Sequence, residues 1–401
     1  MMRSVYRVAV KCFAWGMLGI GRVLRRSRPR YDFATIRKIL INKCDRLGDA
    51  VVILPLLLEL QKHYQITVLT SERNDEFLRR FVPTKKYIAE PKSFHQVLRM
   101  LLSGCAVFWG KRGSKDPDYD LYLDFNGLKE LDVFFKVWKD ALCAHHASFN
   151  MGFWNGMLDY SHRDYPVLFS RRPVLDSYAQ LVCEALGVEI TLASVGGAHA
   201  VFPEEMPPGD FVIINVSGHE RYRGPALVFY AELIKEIAQR LGCFIMDELG
   251  GTHMPAIKEM TRGTDNVYYA ERDFSIWELA GLASKARGYL GADSGISHLM
   301  GGLTNAIVFF GDQTSEIWRP YVPSGYEKCE YKEGFILERS VDPSGFLKAV
   351  IYQPVRCRPC FDWGCRRPVC VDAFLAVKEP LINVVLELFR SCGAIPGAVD
   401  L

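Results

Sequence analysis

A chain of 401 residues, 49% hydrophobic and 24% charged, is globular rather than disordered and too long for one ordinary domain, so two domains with sizeable cores are expected. The formal net charge is only +3, and the first 30 residues hold Arg3, Arg7, Lys11, Arg22, Arg25, Arg26, Arg28 and Arg30 with no acid. The remainder is slightly acidic, which excludes a broad nucleic-acid-binding surface.

The basic leader, residues 1–30, contains the apolar stretch CFAWGMLGIG, too short to span a bilayer. On a helical wheel Tyr6, Ala9, Phe13, Ile20 and Leu24 share one face, roughly opposite Arg3, Arg7, Lys11, Arg22 and Arg25. Such a helix can lie in a headgroup layer with its cations near anionic lipids. The competing reading is a flexible leader, or a helix docked on its own domain, and Gly16, Gly19 and Gly21 weaken the helix itself. The chain's 12 cysteines sit mostly inside apolar runs, as reduced core thiols do, and no secretory signal is apparent. A cytoplasmic setting is expected.

From Thr35 onward strands and helices alternate. TIRKILINK reads as a strand, AVVILPLLLELQKHY as a helix, QITVLT as a strand, NDEFLRRF as a short helix and YDLYLDFN as a strand. KELDVFFKVWKDALC and VLDSYAQLVCEALGV read as helices. A looser stretch ending in FPEEMPPGD then reads as a linker, and the alternation restarts with DFVIINVSG. Helices are expected over PALVFYAELIKEIAQRLG, SIWELAGLASKA and ISHLMGGL, and strands over CFIMDELGG, ARGYLGADSG and NAIVFFGDQ. The tail reads as one more helix, interrupted by Pro380. This pattern predicts an α/β fold of two Rossmann-like, doubly wound domains, residues 31–195 and 196–401, facing across a cleft. Ligands of such sheets bind at the carboxyl ends of the strands.

Four loops there can carry chemistry. In CDRLGD, Gly48 permits a tight strand-to-helix turn and Asp49 falls at the start of the next helix. Asp49 is then either a helix-stabilising first-turn acid, worth about 1 kcal/mol, or a general base on a sugar hydroxyl. Asp45 and Arg46 either hold substrate and orient that base or form a solvated turn. In GADSGISHLMGGL, Ser294 and Gly295 open a helix whose free N–H groups suit an anion such as a diphosphate. Asp293 can bind a sugar hydroxyl there, and His298 in the first turn faces either ligand or core. The GxGxxG of a standard dinucleotide site is absent. In NVSGHERYRGP, Arg221 and Arg223 offer planar forks for phosphate oxygens or are simply solvated. In CRPCFDWGCRRPVC, Cys357, Cys360, Cys365 and Cys370 form either a zinc site, a packed cysteine-rich loop or reversible disulfides.

Together these loops resemble family 9 glycosyltransferases, whose best-known members are lipopolysaccharide heptosyltransferases. ILINKCDRLGDAVVILPLLLEL is similar to that family's opening strand, D-x-x-G-D loop and first helix, GADSGISHLMGGL to its D-[ST]-G-x-x-H helix start, and FFGDQTSEIWRPY to its F-G-x6-W segment. The cysteine loop before a terminal helix recurs in many members, and the likeness spans about residues 36–390. The resemblance implies a GT-B fold with an acceptor domain followed by a donor domain. It implies an inverting, metal-independent transfer without cofactor, from a nucleotide sugar, typically ADP-heptose, to a membrane glycolipid. It assigns the base to Asp49 and diphosphate binding to Ser294, Gly295 and Ile296, with His298 nearby. The enzyme would then work peripherally at the inner face of the cytoplasmic membrane, an inner-leaflet surface that the basic leader suits. Two departures stand out: VSGHERYRGP lacks the family's Trp-Pro, and FGDQTS stands where the family has F-G-P-T-D-P. A nucleotide-sugar epimerase and an inactive nucleotide-sugar-binding scaffold are the rival readings.

Overall fold

The computed structural model describes residues 33–43, 47–86, 119–125, 143–150, 164–166, 173–190, 192, 200–217, 225–247, 252–311, 315–330, 334–356 and 369–393. The basic leader and the expected helix KELDVFFKVWKDALC lie almost wholly outside these residues. The chain divides into two compact units, Met1–Ala193 and Ser194–Leu401.

The first unit is a parallel sheet. Its strands are β1 (Lys38–Asn42), β2 (Gln65–Thr70), β3 (Thr84–Lys86), β4 (Tyr119–Asp124), β5 (Cys143–Asn150) and β6 (Asp164–Pro166), in the order β3-β2-β1-β4-β5-β6. All pairings are parallel, with Ile39 opposite both Ile66 and Leu121. Helix α1 (Leu47–His63) follows β1, α2 (Glu72–Leu78) follows β2, and α3 (Val174–Leu186) closes the unit. The apolar run AVVILPLLLEL of α1 buries Ile53, Leu54, Leu56, Leu57 and Leu60, so α1 forms despite the interior Pro55, whose missing donor packing must offset. Helix α3 ends on Gly187, whose φ of 65° makes the left-handed cap that glycine adopts without steric penalty.

The second unit repeats the plan. Its strands β7 (Phe211–Asn215), β8 (Gly242–Met246), β9 (Val267–Tyr269), β10 (Gly288–Ala292) and β11 (Ala306–Phe310) are parallel. They are joined by the antiparallel strands β12 (Glu327–Glu330) and β13 (Ile336–Val341), and by β14 (Leu347–Tyr352), which runs parallel to β11. The sheet order is β12-β13-β14-β11-β10-β7-β8-β9, and the short helices α5 (Met254–Met260) and α8 (Ser315–Trp318) follow β8 and β11. Strands β7, β8, β10 and β11 are buried along their whole length, as a sheet covered on both faces requires. Alternate residues feed two cores: Val212 and Ile214 pack with α4 (Leu227–Ala238) and α10 (Lys378–Ser391), whereas Phe211 and Ile213 pack with α6 (Ile276–Lys285) and α7 (Gly295–Leu303).

The tail is two helices, α9 (Val369–Ala376) and α10, broken at Val377 rather than at Pro380. Pro380 is the third residue of α10, where no intrahelical donor is needed. The Pro-rich segment expected as a linker is docked over residues 200–210. The Val201 N–H donates to Trp277 O at 2.9 Å, and Arg272 grips both carboxylate oxygens of Glu205 at 3.0 Å. Arg272 also donates to Glu278, which closes a capping box with Ser275 at the start of α6. That hydrogen bond from Arg272 holds the Glu278 carboxyl down to about 2. At the amino end of β14 the fully buried Lys348 ammonium donates to Thr304 O at 2.8 Å and lies 3.1 Å from Asp342. Burial lowers its pKa to about 8, against the opposing pull of Asp342.

Two tests follow from this packing. A Cβ at Gly281 would lie 2.1 Å from Val201 O, whereas one at Gly302 would meet nothing within 4 Å. Chemical denaturation should therefore show Gly281→Ala destabilised by about 1–3 kcal/mol and Gly302→Ala stabilised by about 0.5–1 kcal/mol. Because Lys348 is harder to protonate in the fold than in the open chain, the unfolded state binds the extra proton between pH about 8 and 10.5. Its contribution to stability accordingly rises with pH through that window, and the rise should be missing from Lys348→Met in urea titrations at stepped pH.

Candidate active site

A doubly wound sheet opens a crevice where the strand order reverses, at the carboxyl ends of the two strands flanking that point. In the first unit these are β1 and β4. The chain leaves β1 through Lys43, whose N–H donates to Leu69 O at 3.0 Å, while Phe125 past β4 donates to Asn42 O at 3.1 Å. The Lys43 side chain is 1% exposed and runs inward. Its ammonium donates to Phe125 O at 3.3 Å and to the Tyr178 hydroxyl of α3 at 3.2 Å, and it lies 5.2 Å from the centre of the Tyr178 ring. Its distance to Asp49 Oδ1 is 3.7 Å, and that carboxylate side chain is 19% exposed. Asp49 is the third residue of α1, where the positive end of the helix favours an anion. Gly48 precedes it in the same turn; Asp45 and Arg46 lie outside the described residues.

In the second unit the reversal falls between β7 and β10, whose ends carry Asn215–Ser217 and Asp293–Ser294. Ser294 is the N-cap of α7: its Oγ accepts from the Ser297 N–H. Gly295 and Ile296 are the first two residues of the helix, whose N–H groups have no intrahelical acceptor. A hydrogen-bond network fixes this turn. The buried Tyr289 hydroxyl sits 3.0 Å from Ser297 Oγ and accepts from Asn215 Nδ2 at 3.4 Å, and Asn215 Oδ1 accepts from the Ser217 hydroxyl at 2.6 Å and its N–H at 3.1 Å. A Cβ on Gly291 would fall 2.3 Å from the Tyr289 hydroxyl, so the network needs glycine there. Asp293 is 5% exposed and Ser294 9%; His298 follows within the first turns of α7 and is partly buried. One strand over, Asp247 Oδ2 accepts from the N–H groups of His253 and Met254 at 2.6 and 3.0 Å.

The structure thus brings Asp293, Ser294, Gly295, Ile296 and His298 to one turn, and Gly48 and Asp49 to another. Arg221, Arg223, Cys357, Cys360 and Cys365 lie outside the described residues, whereas Cys370 is buried in α9. The tryptophan of FFGDQTSEIWRPY has a packing role: Trp318 covers Val308, Phe310 and Val350. The following Arg319 pairs with the buried Glu338 and stacks 4.5 Å from the Tyr326 ring centre. Lys43, Tyr178, Asn215 and Tyr289 were not singled out from sequence. A lysine after a strand ordinarily reads as solvated, and the partners that bury it stand 82 and 135 residues away.

No protein-family model matches the chain, and no curated protein matches it in sequence. Solved structures do. E. coli heptosyltransferase WaaC with ADP superposes with a TM-score of 0.55 at 16% identity, over 71% of this chain and 90% of that one. The glycosyl transferase family 9 protein from Veillonella parvula DSM 2008 gives 0.55 at 14% identity, over 71% and 83%. E. coli ADP-heptose lps heptosyltransferase II gives 0.54 at 12% identity, over 88% of this chain and 99% of that one. The fold is therefore the GT-B fold that these proteins share.

Removing the Tyr289 hydroxyl should loosen the second turn. Tyr289→Phe is expected to cost about 1–2 kcal/mol in chemical denaturation, since Asn215 and Ser297 lose a buried partner.

Proposed function

We propose that the chain is an inverting glycosyltransferase of family 9 that moves a heptose from ADP-heptose to a lipopolysaccharide core or a related surface glycan. The observation that carries this reading is the placement of Asp49 in the first turn of α1 at the reversal point of the first sheet. A capped Ser294-Gly295 turn occupies the same position in the second. Support comes from the fold shared with two heptosyltransferases, one of them solved with ADP, and from the family-like order of the loops.

In this mechanism Asp49 takes the proton of the acceptor hydroxyl as that oxygen attacks C1 of the donor sugar. The C1–O bond to the diphosphate breaks on the opposite face, so the anomeric centre inverts. Negative charge then grows on the leaving diphosphate. The Gly295 and Ile296 N–H groups, the positive end of α7 and the Ser294 hydroxyl are the donors that would meet it, with Arg221 and Arg223 of the preceding loop adding cations. Asp293 and His298 would contact the sugar. No metal or cofactor enters the scheme. The acceptor is a glycolipid, so we place the enzyme at the inner face of the cytoplasmic membrane, with residues 1–30 as the segment that meets it. No described helix is long and apolar enough to cross a bilayer.

A thermal-shift series with ADP, UDP and GDP tests the donor class. At 100 times the dissociation constant ADP should add about 2.7 kcal/mol, a rise of a few degrees, with smaller rises for UDP and GDP; equal or absent shifts would sink the ADP reading. Asp49→Asn should keep the ADP shift while losing about 10²–10⁴-fold in kcat, measured as ADP release from ADP-heptose with heptose-free lipopolysaccharide as acceptor. Undiminished turnover would remove Asp49 as the base.

A further inference from the structure

A general base has to present one carboxylate oxygen to its substrate in a fixed direction. Asp49 stands on the third residue of a helix, where its side chain is 19% exposed and so open to solvent on one side. On the other side stands Lys43, 1% exposed, with its ammonium 3.7 Å from Asp49 Oδ1. This lysine cannot swing away. Its backbone N–H is tied to β2 through Leu69 O. Its ammonium is held by Phe125 O, just past β4, and by the Tyr178 hydroxyl of α3. Tyr178 is itself 3% exposed and its ring meets that of Phe125 edge-on at 5.0 Å. Three elements of the first unit therefore fix one cation in place before the α1 turn begins. A solvated lysine would do none of this, and a buried one carries a desolvation cost that needs a compensating role.

From this we infer that Lys43 is the positioning residue for Asp49: it draws Oδ1 inward and leaves the second carboxylate oxygen turned to the acceptor hydroxyl. Lys43 does not touch substrate. It acts by fixing the rotamer of the carboxylate, and the assignment rests on Asp49 being the base in the proposed function. A one-ångström error in the placement of such a group is worth about 10²-fold in rate.

Two experiments on the full chain test the inference. The first needs no substrate: the melting temperatures of Lys43→Met, Asp49→Asn and the double variant are compared. A pair that is coupled in solution gives a double variant that loses less than the sum of the two single losses; additive losses would overturn the contact. The second follows ADP release from ADP-heptose with heptose-free lipopolysaccharide. Lys43→Met should lower kcat by about 10²-fold while KM for the donor stays within about threefold, because the lost contact acts on the reacting hydroxyl and not on the donor. Lys43→Arg, which keeps the charge, should recover at least part of the lost kcat, whereas a merely structural role predicts no such rescue. If Asp49→Asn is inactive but Lys43→Met turns over normally, this inference fails and the base assignment stands. If Asp49→Asn itself turns over normally, the base assignment fails and this inference falls with it.

Discussion

A parallel strand can be reached only by a crossover, and where successive crossovers pass to opposite faces of the sheet no connection covers the strand ends. Both units of this chain are built around that constraint. The first sheet reverses between β1 and β4 and the second between β7 and β10. In β1 and β7 the apolar runs ILI and FVII end in polar residues where the crossover departs: Asn42-Lys43 in one, Asn215 with Ser217 in the other. The position of the candidate chemistry is thus a consequence of topology before any side chain is considered.

The two reversal points are furnished differently. The first holds full charges, a buried ammonium and a partly exposed carboxylate. The second sets one buried carboxylate, Asp293, among dipoles: a Tyr–Asn–Ser network, a serine cap and the open end of a helix. Full charges suit proton transfer, where a formal charge must appear or vanish. Oriented neutral donors suit a multiply charged anion that arrives and departs, because they need no rearrangement as its charge grows.

Much of this was legible in the sequence. The apolar runs KILIN and QITVLT became β1 and β2, and the Ser-Gly pair before ISHLMGGL became a cap and helix start, because local propensity and burial agree there. What escaped reading depended on distant partners or on short elements. The three-residue strands β3, β6 and β9 are too brief for a periodic signal. Strand β13, ILERSV, buries Glu338 by pairing it with Arg319, so its polar residue concealed a buried position. Pro380 looked like a helix breaker, yet a proline in a first turn breaks nothing. Lys43 was invisible as a core residue for the same reason as Glu338: only its remote acceptors make its burial tolerable.

The second sheet also ends in a particular way. One margin is β9, only three residues long, and the other is β12, which reads EKCE and presents an exposed Glu327. An extended segment from another molecule would find a three-residue stub at one margin and a strand of mostly charged residues at the other, both poor templates for main-chain pairing. Self-association by extension of this sheet is thereby disfavoured.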